Sequence, residues 1–140
     1  PKPQNPKCLI SIFNLKMLLK DYLVVDASRI LVGSISSLML AELGATVIKI
    51  EIPGHGDDTR HWGPPFLDHK TGKDSTYYMS LNRNKKSVAI DMKNQLGLKA
   101  IRDLTSKADI FIQNFPPRTA EKLKVDYEAL KDLNPSLVYA

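Results

Sequence analysis

A chain of 140 residues, 43% apolar and 25% charged, is long enough for one domain that buries roughly two thirds of its extended surface. Its net charge of +5, from 20 Lys+Arg against 15 Asp+Glu, favours anionic partners, yet the basic residues are dispersed apart from Arg83, Lys85 and Lys86, which argues against a nucleic-acid interface. A lone Cys8 excludes an internal disulfide framework and a cysteine metal cluster, and no apolar run approaches the roughly 20 residues that span a bilayer.

Residues 1–18 form an unassigned N-terminal extension, with lysines but no arginine and no small-residue cleavage site, so they are not read as a targeting peptide. The chain opens on Pro1 and closes on Leu137-Val138-Tyr139-Ala140, which reads as mid-strand, so it is expected to be a piece of a longer polypeptide. Leu23-Val24-Val25-Asp26 has the look of a buried parallel strand. Ser34 suits the N-cap of a helix running to Leu43, and Ile35, Leu38, Met39, Leu40 and Leu43 make that helix apolar nearly all round, hence largely buried. Gly44 supplies a left-handed stop, and residues 46–51 are a β-branched strand, completing a βαβ unit.

Prolines and glycines break any period over residues 52–76, and a loop of that length inside a domain is more often functional than idle. Beyond it the pattern predicts a short helix at 77–81, a strand at 87–91, a helix at 96–105 and a strand at 109–113. Two short helices follow at 118–123 and 127–133, the second capped by Asp126, with a last strand from about 137. This alternation implies an α/β fold with a mainly parallel sheet, whose ligands bind beyond the strand carboxyl ends. The loops after Asp26, Glu51 and Gln113 are therefore where a site is expected.

The loop Ser28-Arg29-Ile30-Leu31-Val32-Gly33-Ser34 offers backbone N–H groups to an anion, but it lacks both the G-x-G-x-x-G fingerprint and a P-loop lysine, and an ordinary tight turn is the simpler reading. Gly54-His55-Gly56-Asp57-Asp58-Thr59-Arg60 has neither calcium-loop nor zinc spacing, and reads as a hydrogen-bonded loop in which Asp57 or Asp58 pairs with Arg60. Trp62-Gly63-Pro64-Pro65-Phe66 is expected to pack that loop onto the domain or a partner. Asn82-Arg83-Asn84-Lys85-Lys86 is a basic turn that either grips a phosphate or is simply solvated. Asn114-Phe115 either bonds and stacks on a base or is a turn with a core phenylalanine. No Ser-His-Asp or Cys-His arrangement follows from the spacing.

Residues 43–51, 54–60, 82–91 and Ala108-Asp109 with Asn114-Phe115 agree in order and spacing with the class III coenzyme A transferase (CaiB/BaiF-like) family, and the chain resembles that family from about residue 19 to 140. The runs 57–66 and 75–78 look most like its glutarate-type branch, which also suggests a mitochondrial location. The resemblance implies transfer of coenzyme A between carboxylic acids, dicarboxylates included, through an aspartyl-CoA thioester. It implies an acyl-CoA thioester as substrate, no permanently bound cofactor, no metal, no nucleic acid or membrane partner, and a homodimer at full length. Residues 19–140 would form the N-terminal part of a Rossmann-like large domain in a two-domain enzyme. The nucleophile would lie beyond residue 140, leaving this piece inactive alone. None of Asp57, Asp58 or Asp91 is given that role.

Carried over position by position, the resemblance puts Leu31 and Val32 against the pantetheine end of the ligand. It puts Ile90, Asp91, Met92 and Lys93 by the adenosine part, with Lys93 as a phosphate partner. Asn114, Phe115 and Pro116 form the adenine-contacting turn, and Lys122 sits near the phosphates. The chain departs from the family at Ser34, where proline is usual, at Ile52, where arginine is frequent, and at Arg118, where glycine is usual. Those departures motivate the alternative of a non-catalytic CoA-binding or structural relative.

Overall fold

The computed structural model describes residues 18–68 and 73–140; most of the N-terminal extension, with Cys8, and His69 lie outside the described residues. The strands are β1 (Leu23–Asp26), β2 (Thr46–Glu51), β3 (Phe66–Asp68), β4 (Lys73–Ser75), β5 (Lys85–Ala89), β6 (Ile110–Ile112) and β7 (Val138–Tyr139). The helices are α1 (Val32–Glu42), α2 (Thr76–Asn82), α3 (Gln95–Thr105), α4 (Pro117–Leu123) and α5 (Tyr127–Lys131), with a 3₁₀ turn at Asp58–His61.

Five strands pair in the order β5-β2-β1-β6-β7, every neighbour parallel. In chain order that is 3-2-1-4-5, the doubly wound Rossmann arrangement. The chain leaves the central β1 towards β2 and β5 on one side and returns to β6 and β7 on the other. The switch of direction opens a crevice at the carboxyl ends of β1 and β6.

Alternation along each strand sorts the two faces of the sheet. Val25, Ile50 and Phe111 pack with Ile101 of α3, Ala120 of α4 and Leu130 of α5. Val24, Val47 and Ile112 pack with Ala41 of α1 and Ala45. Burying each of the Val, Ile, Leu and Phe side chains contributes about 1.5–3 kcal/mol, so this double-sided apolar layer is what holds the sheet together. Asp126 caps α5 by accepting from Ala129 N–H, as the pattern predicts, and Asn94 caps α3 by accepting from Leu96 N–H. Gly44 takes the expected left-handed turn, φ 103°.

Helix α1 departs from expectation. It starts at Val32, not after Ser34, with Leu31 at the cap position and no side-chain cap. Its buried residues are Gly33, Ser34, Ser37 and Ala41, whereas Val32 is 73% and Met39 62% exposed. The small residues turn inward because the helix runs close to the chain beneath it. A Cβ on Gly33 would lie 2.2 Å from Ser28 Cβ. The inward hydroxyls also meet buried ions, described below.

The long 52–76 segment is not a bare loop: it carries the 3₁₀ turn and a two-stranded antiparallel ribbon, β3 with β4, pairing Phe66 with Ser75. Trp62 lies over Tyr77 of α2 with ring centroids 5.6 Å apart, so this loop packs on its own domain.

Candidate functional site at the carboxyl edge of the sheet

On the α1 side, the sheet turns from apolar to ionic as the strands approach their carboxyl ends. Val24 gives way to Asp26 on β1, Val47 to Lys49 and Glu51 on β2, and Lys85 begins β5. Lys49 Nζ lies 3.0 Å from Asp57 Oδ2, an ion pair off the hydrogen-bond axis, and 3.9 Å from Asp26. It also donates to Ser28 C=O and to Ser34 Oγ, both at 3.1 Å. Lys85 Nζ reaches Asp26 Oδ2 at 3.2 Å and Ser34 C=O at 2.8 Å. Ser28 and Ser37 hydroxyls donate to the two Asp26 oxygens. Two cations and two carboxylates thus close on each other, which is how buried charge is tolerated. Burial pushes Lys85 down to about 8, with Asp26 pulling the other way. Burial would raise Asp57, but the Thr59 bonds and the Lys49 charge hold it below its ordinary value.

This network corrects two expectations. The basic turn divides: Lys85 points inward, away from any phosphate, while Arg83, Asn84 and Lys86 stay exposed, Arg83 and Asn84 binding Glu42 at 2.9 and 3.0 Å. Asp57 does not pair with Arg60. It caps the 3₁₀ turn through Thr59 N–H at 2.9 Å and faces Lys49. Asp58 turns to Arg29 at 2.8 Å and His55 at 3.0 Å.

Arg60 instead anchors the loop to β2. Its Nε donates to Glu51 Oε2 at 2.7 Å, its Nη2 to Glu51 Oε1 and Tyr78 Oη, and its Nη1 to Asp74. The guanidinium lies over the Tyr78 ring, 3.8 Å from its centre. Glu51 also accepts from Ser87 Oγ at 2.6 Å and Asp57 N–H at 2.9 Å. Burial would raise the Glu51 carboxyl, but these donors outweigh it and hold the group down at about 2. Glu51 in turn raises Arg60, and burial beside Glu51 raises Tyr78.

These struts shape a cleft of about 610 Å³ at the carboxyl ends of β1, β2 and β5 and the start of α4. Its lining is mostly apolar, with Ile50, Ile52, Pro53 and Met92 as examples, and two cations, Arg29 and Lys93, contribute to it. An apolar cleft with a few placed charges is the usual form of a small-molecule site.

Of the residues expected from the sequence, Ile90, Asp91, Met92, Lys93, Phe115 and Pro116 line this cleft together. Asn114 lies beside it with its amide engaged on the Arg29 backbone, 2.8 Å from the N–H and 2.7 Å from the carbonyl. Leu31 and Val32 are exposed at the start of α1, and Lys122 is exposed on α4; none of the three lines the cleft. Sequence reasoning missed the side chains of Arg29, Ile52, Thr119 and Leu123 as lining residues. Position after a strand, or one and two helical turns after Pro116, was the signal that could have found them.

The sequence model of CoA-transferase family III matches residues 19–140. The chain belongs to CoA-transferase family III. A crystal structure of a CAIB/BAIF family protein from Brucella suis superposes with a TM-score of 0.83 at 41% identity, covering 89% of this chain and 32% of that one. The succinyl-CoA:glutarate CoA-transferase of Homo sapiens is 43% identical over 116 residues, 83% of this chain and 26% of its own length. The acetyl-CoA:oxalate CoA-transferase of Acetobacter aceti is 39% identical over 118 residues, 84% of this chain and 29% of its own length. This family III chain therefore spans about a quarter to a third of the length of the relatives it matches.

Proposed function

We propose that the cleft takes the nucleotide end of coenzyme A, and that the full-length protein carrying this segment transfers coenzyme A between carboxylic acids. The observation that carries this reading is the convergence of the 90–93 and 115–116 segments on one apolar cleft at the Rossmann switch point. Met92 and Phe115 are suited to flank an aromatic base, and Lys93 to meet a phosphate as a point charge. Kinship with transferases named for glutarate and oxalate supports a carboxylate acceptor.

The covalent route belongs to the same reading: an aspartate beyond residue 140 attacks the acyl-CoA thioester, forming a mixed anhydride and expelling CoA thiolate. The thiolate attacks the aspartyl carbonyl, releasing the donor acid and leaving an aspartyl-CoA thioester. The acceptor carboxylate repeats the two steps in reverse, taking CoA and freeing the aspartate. The aspartates in and beside the cleft already have partners. Asp57 faces Lys49, Asp58 faces Arg29, and Asp91 accepts from Lys93 N–H at 2.9 Å. Residues 19–140 are then the N-terminal part of the large domain, with CoA thioester as substrate and no resident cofactor. The same reading makes the full-length protein a homodimer, and kinship with the human and mouse succinyl-CoA:glutarate CoA-transferases supports a mitochondrial location within it.

Ser34 and Ile52, which motivated the non-catalytic alternative, both have places here. Ser34 is a buried partner of Lys49, and Ile52 widens the apolar wall of the cleft. The test is an exchange assay with the full-length protein, supplying succinyl-CoA and free glutarate or oxalate. Formation of the new acyl-CoA supports the reading. CoA binding without transfer from any donor supports the non-catalytic alternative.

A further inference from the structure

We propose that Arg29 is the anion-receiving residue of the cleft, held in reserve by Asp58 and released to a phosphate or carboxylate of the ligand. The assignment rests on the CoA reading above and goes beyond it.

The two arginines near the cleft differ in how far they are satisfied. Arg60 has all three guanidinium nitrogens bonded, to Glu51, Asp74 and Tyr78. With four of its five N–H donors engaged, it is a strut. Among the described residues Arg29 makes one ion pair, from Nη2 to Asp58 at 2.8 Å, while its Nε is covered and has no hydrogen-bond partner. A guanidinium has five N–H donors in a planar fork that matches carboxylate and phosphate oxygens in pairs. Arg29 is therefore under-satisfied, and its side chain, 36% exposed, borders the cleft.

The backbone beneath it is fixed. The Asn114 amide bonds both the N–H and the carbonyl of Arg29. The next residue, Ile30, is held at φ 66°, where a β-branched side chain is rarely found. Strain of this kind persists where surrounding structure imposes it, and it clusters at ligand clamps. The side chain thus rises from a rigid base, tied to Asp58 at its tip.

Asp58 is suited to the reserve role. It is itself shared, its second oxygen lying 3.0 Å from His55 Nε2, so it keeps a partner when Arg29 leaves. Lys93 follows β5 and Arg29 follows β1, with β2 between them, so the strand ends that precede the two cleft cations stand roughly 10 Å apart at ordinary strand spacing. That separation suits a ligand with two well-spaced anionic groups and an apolar body between them.

The experiment uses the full-length protein carrying this segment. Calorimetry is run with CoA, with pantetheine, which lacks phosphates, and with glutarate, on the wild type and on Arg29→Gln. In parallel, phenylglyoxal modification of Arg29 in the wild type is followed by mass spectrometry with and without each saturating ligand. Arg29→Gln is expected to weaken one anionic ligand at least tenfold, and that ligand is expected to slow modification of Arg29 at least fivefold. Loss for CoA with pantetheine unchanged identifies a phosphate; loss for glutarate with CoA unchanged identifies a carboxylate. The melting temperature should hold, because Asn114 grips the backbone and not the side chain. Should Arg29→Gln fail to fold, the modification arm decides. Unchanged affinity for both CoA and glutarate, or modification unaffected by either, overturns the assignment while wild-type CoA binding leaves the functional reading standing. Absence of wild-type CoA binding overturns both.

Discussion

The side-chain amide of Asn114 spans the switch point, accepting from Arg29 N–H at 2.8 Å and donating to Arg29 C=O at 2.7 Å. Two loops far apart in sequence, after β1 and after β6, are thereby fixed to each other at the mouth of the cleft. Asn114→Ala removes both bonds and should cost about 1–2 kcal/mol of stability. Asn114→Asp keeps the acceptor and loses the donor, so it should fall between. Chemical unfolding of the three proteins, with CoA titration alongside, checks this order. Equal CoA affinity in all three would show that the clamp plays no part in shaping the cleft.

Glu51 makes the protein acid-sensitive. Its carboxyl sits at about 2 in the folded state against an ordinary value of 4.5. A depressed acid stabilises the fold fully above its unfolded value and loses that contribution as pH falls from about 4.5 towards about 2. Glu51→Gln should cost about 3 kcal/mol near neutral pH, as for a buried pair stripped of one partner. The gap between wild type and variant should narrow below pH 4.5. Urea midpoints from pH 6 to pH 3 measure it, and a constant gap would refute the sign.

Lys85 acts in the opposite pH region. Its folded value of about 8 lies below its ordinary 10.5, so the unfolded chain holds more protons between the two. Its contribution therefore makes stability rise with pH from about 8 to about 10.5. In Lys85→Met that rise should vanish. The variant should also be several kcal/mol less stable near pH 7, because Asp26 and Asp57 are left with Lys49 alone. Unfolding curves at pH 7, 8.5 and 10 separate the two effects.

Gly97 sets the distance between α3 and the turn that carries Asp91, Met92 and Lys93. A Cβ there would meet the Asp91 carbonyl oxygen at 2.0 Å. Alanine normally gains roughly 1 kcal/mol over glycine in a helix. Here Gly97→Ala should instead destabilise by about 1–3 kcal/mol and displace the Asp91 to Lys93 wall of the cleft. A melting temperature above wild type would contradict this close approach.

The sheet was legible because β-branched runs alternate with helical periods, and the cleft because ligands in such sheets bind past the strand ends. Strand limits slipped where charge interrupts the pattern: β5 begins at Lys85, two residues before the expected Ser87. The orientation of α1 was not legible. Large apolar side chains read as buried, whereas the close approach at Gly33 and the buried Lys49 and Lys85 select serines for the inner face. A lysine between Ile48 and Ile50, in step with Val47 and Glu51, was the sequence sign of that ionic layer. The Arg60 strut was missed because its partner, Glu51, lies nine residues away and its neighbours Asp57 and Asp58 seemed nearer choices.

The central claim is that coenzyme A seats in the cleft between the β1, β2, β5 and β6 ends. Amide hydrogen exchange of the full-length protein, with and without saturating CoA, tests it most directly. The account predicts protection concentrated at residues 27–30, 52–57, 90–93 and 114–119. Saturable CoA binding that leaves those four segments unprotected would contradict it.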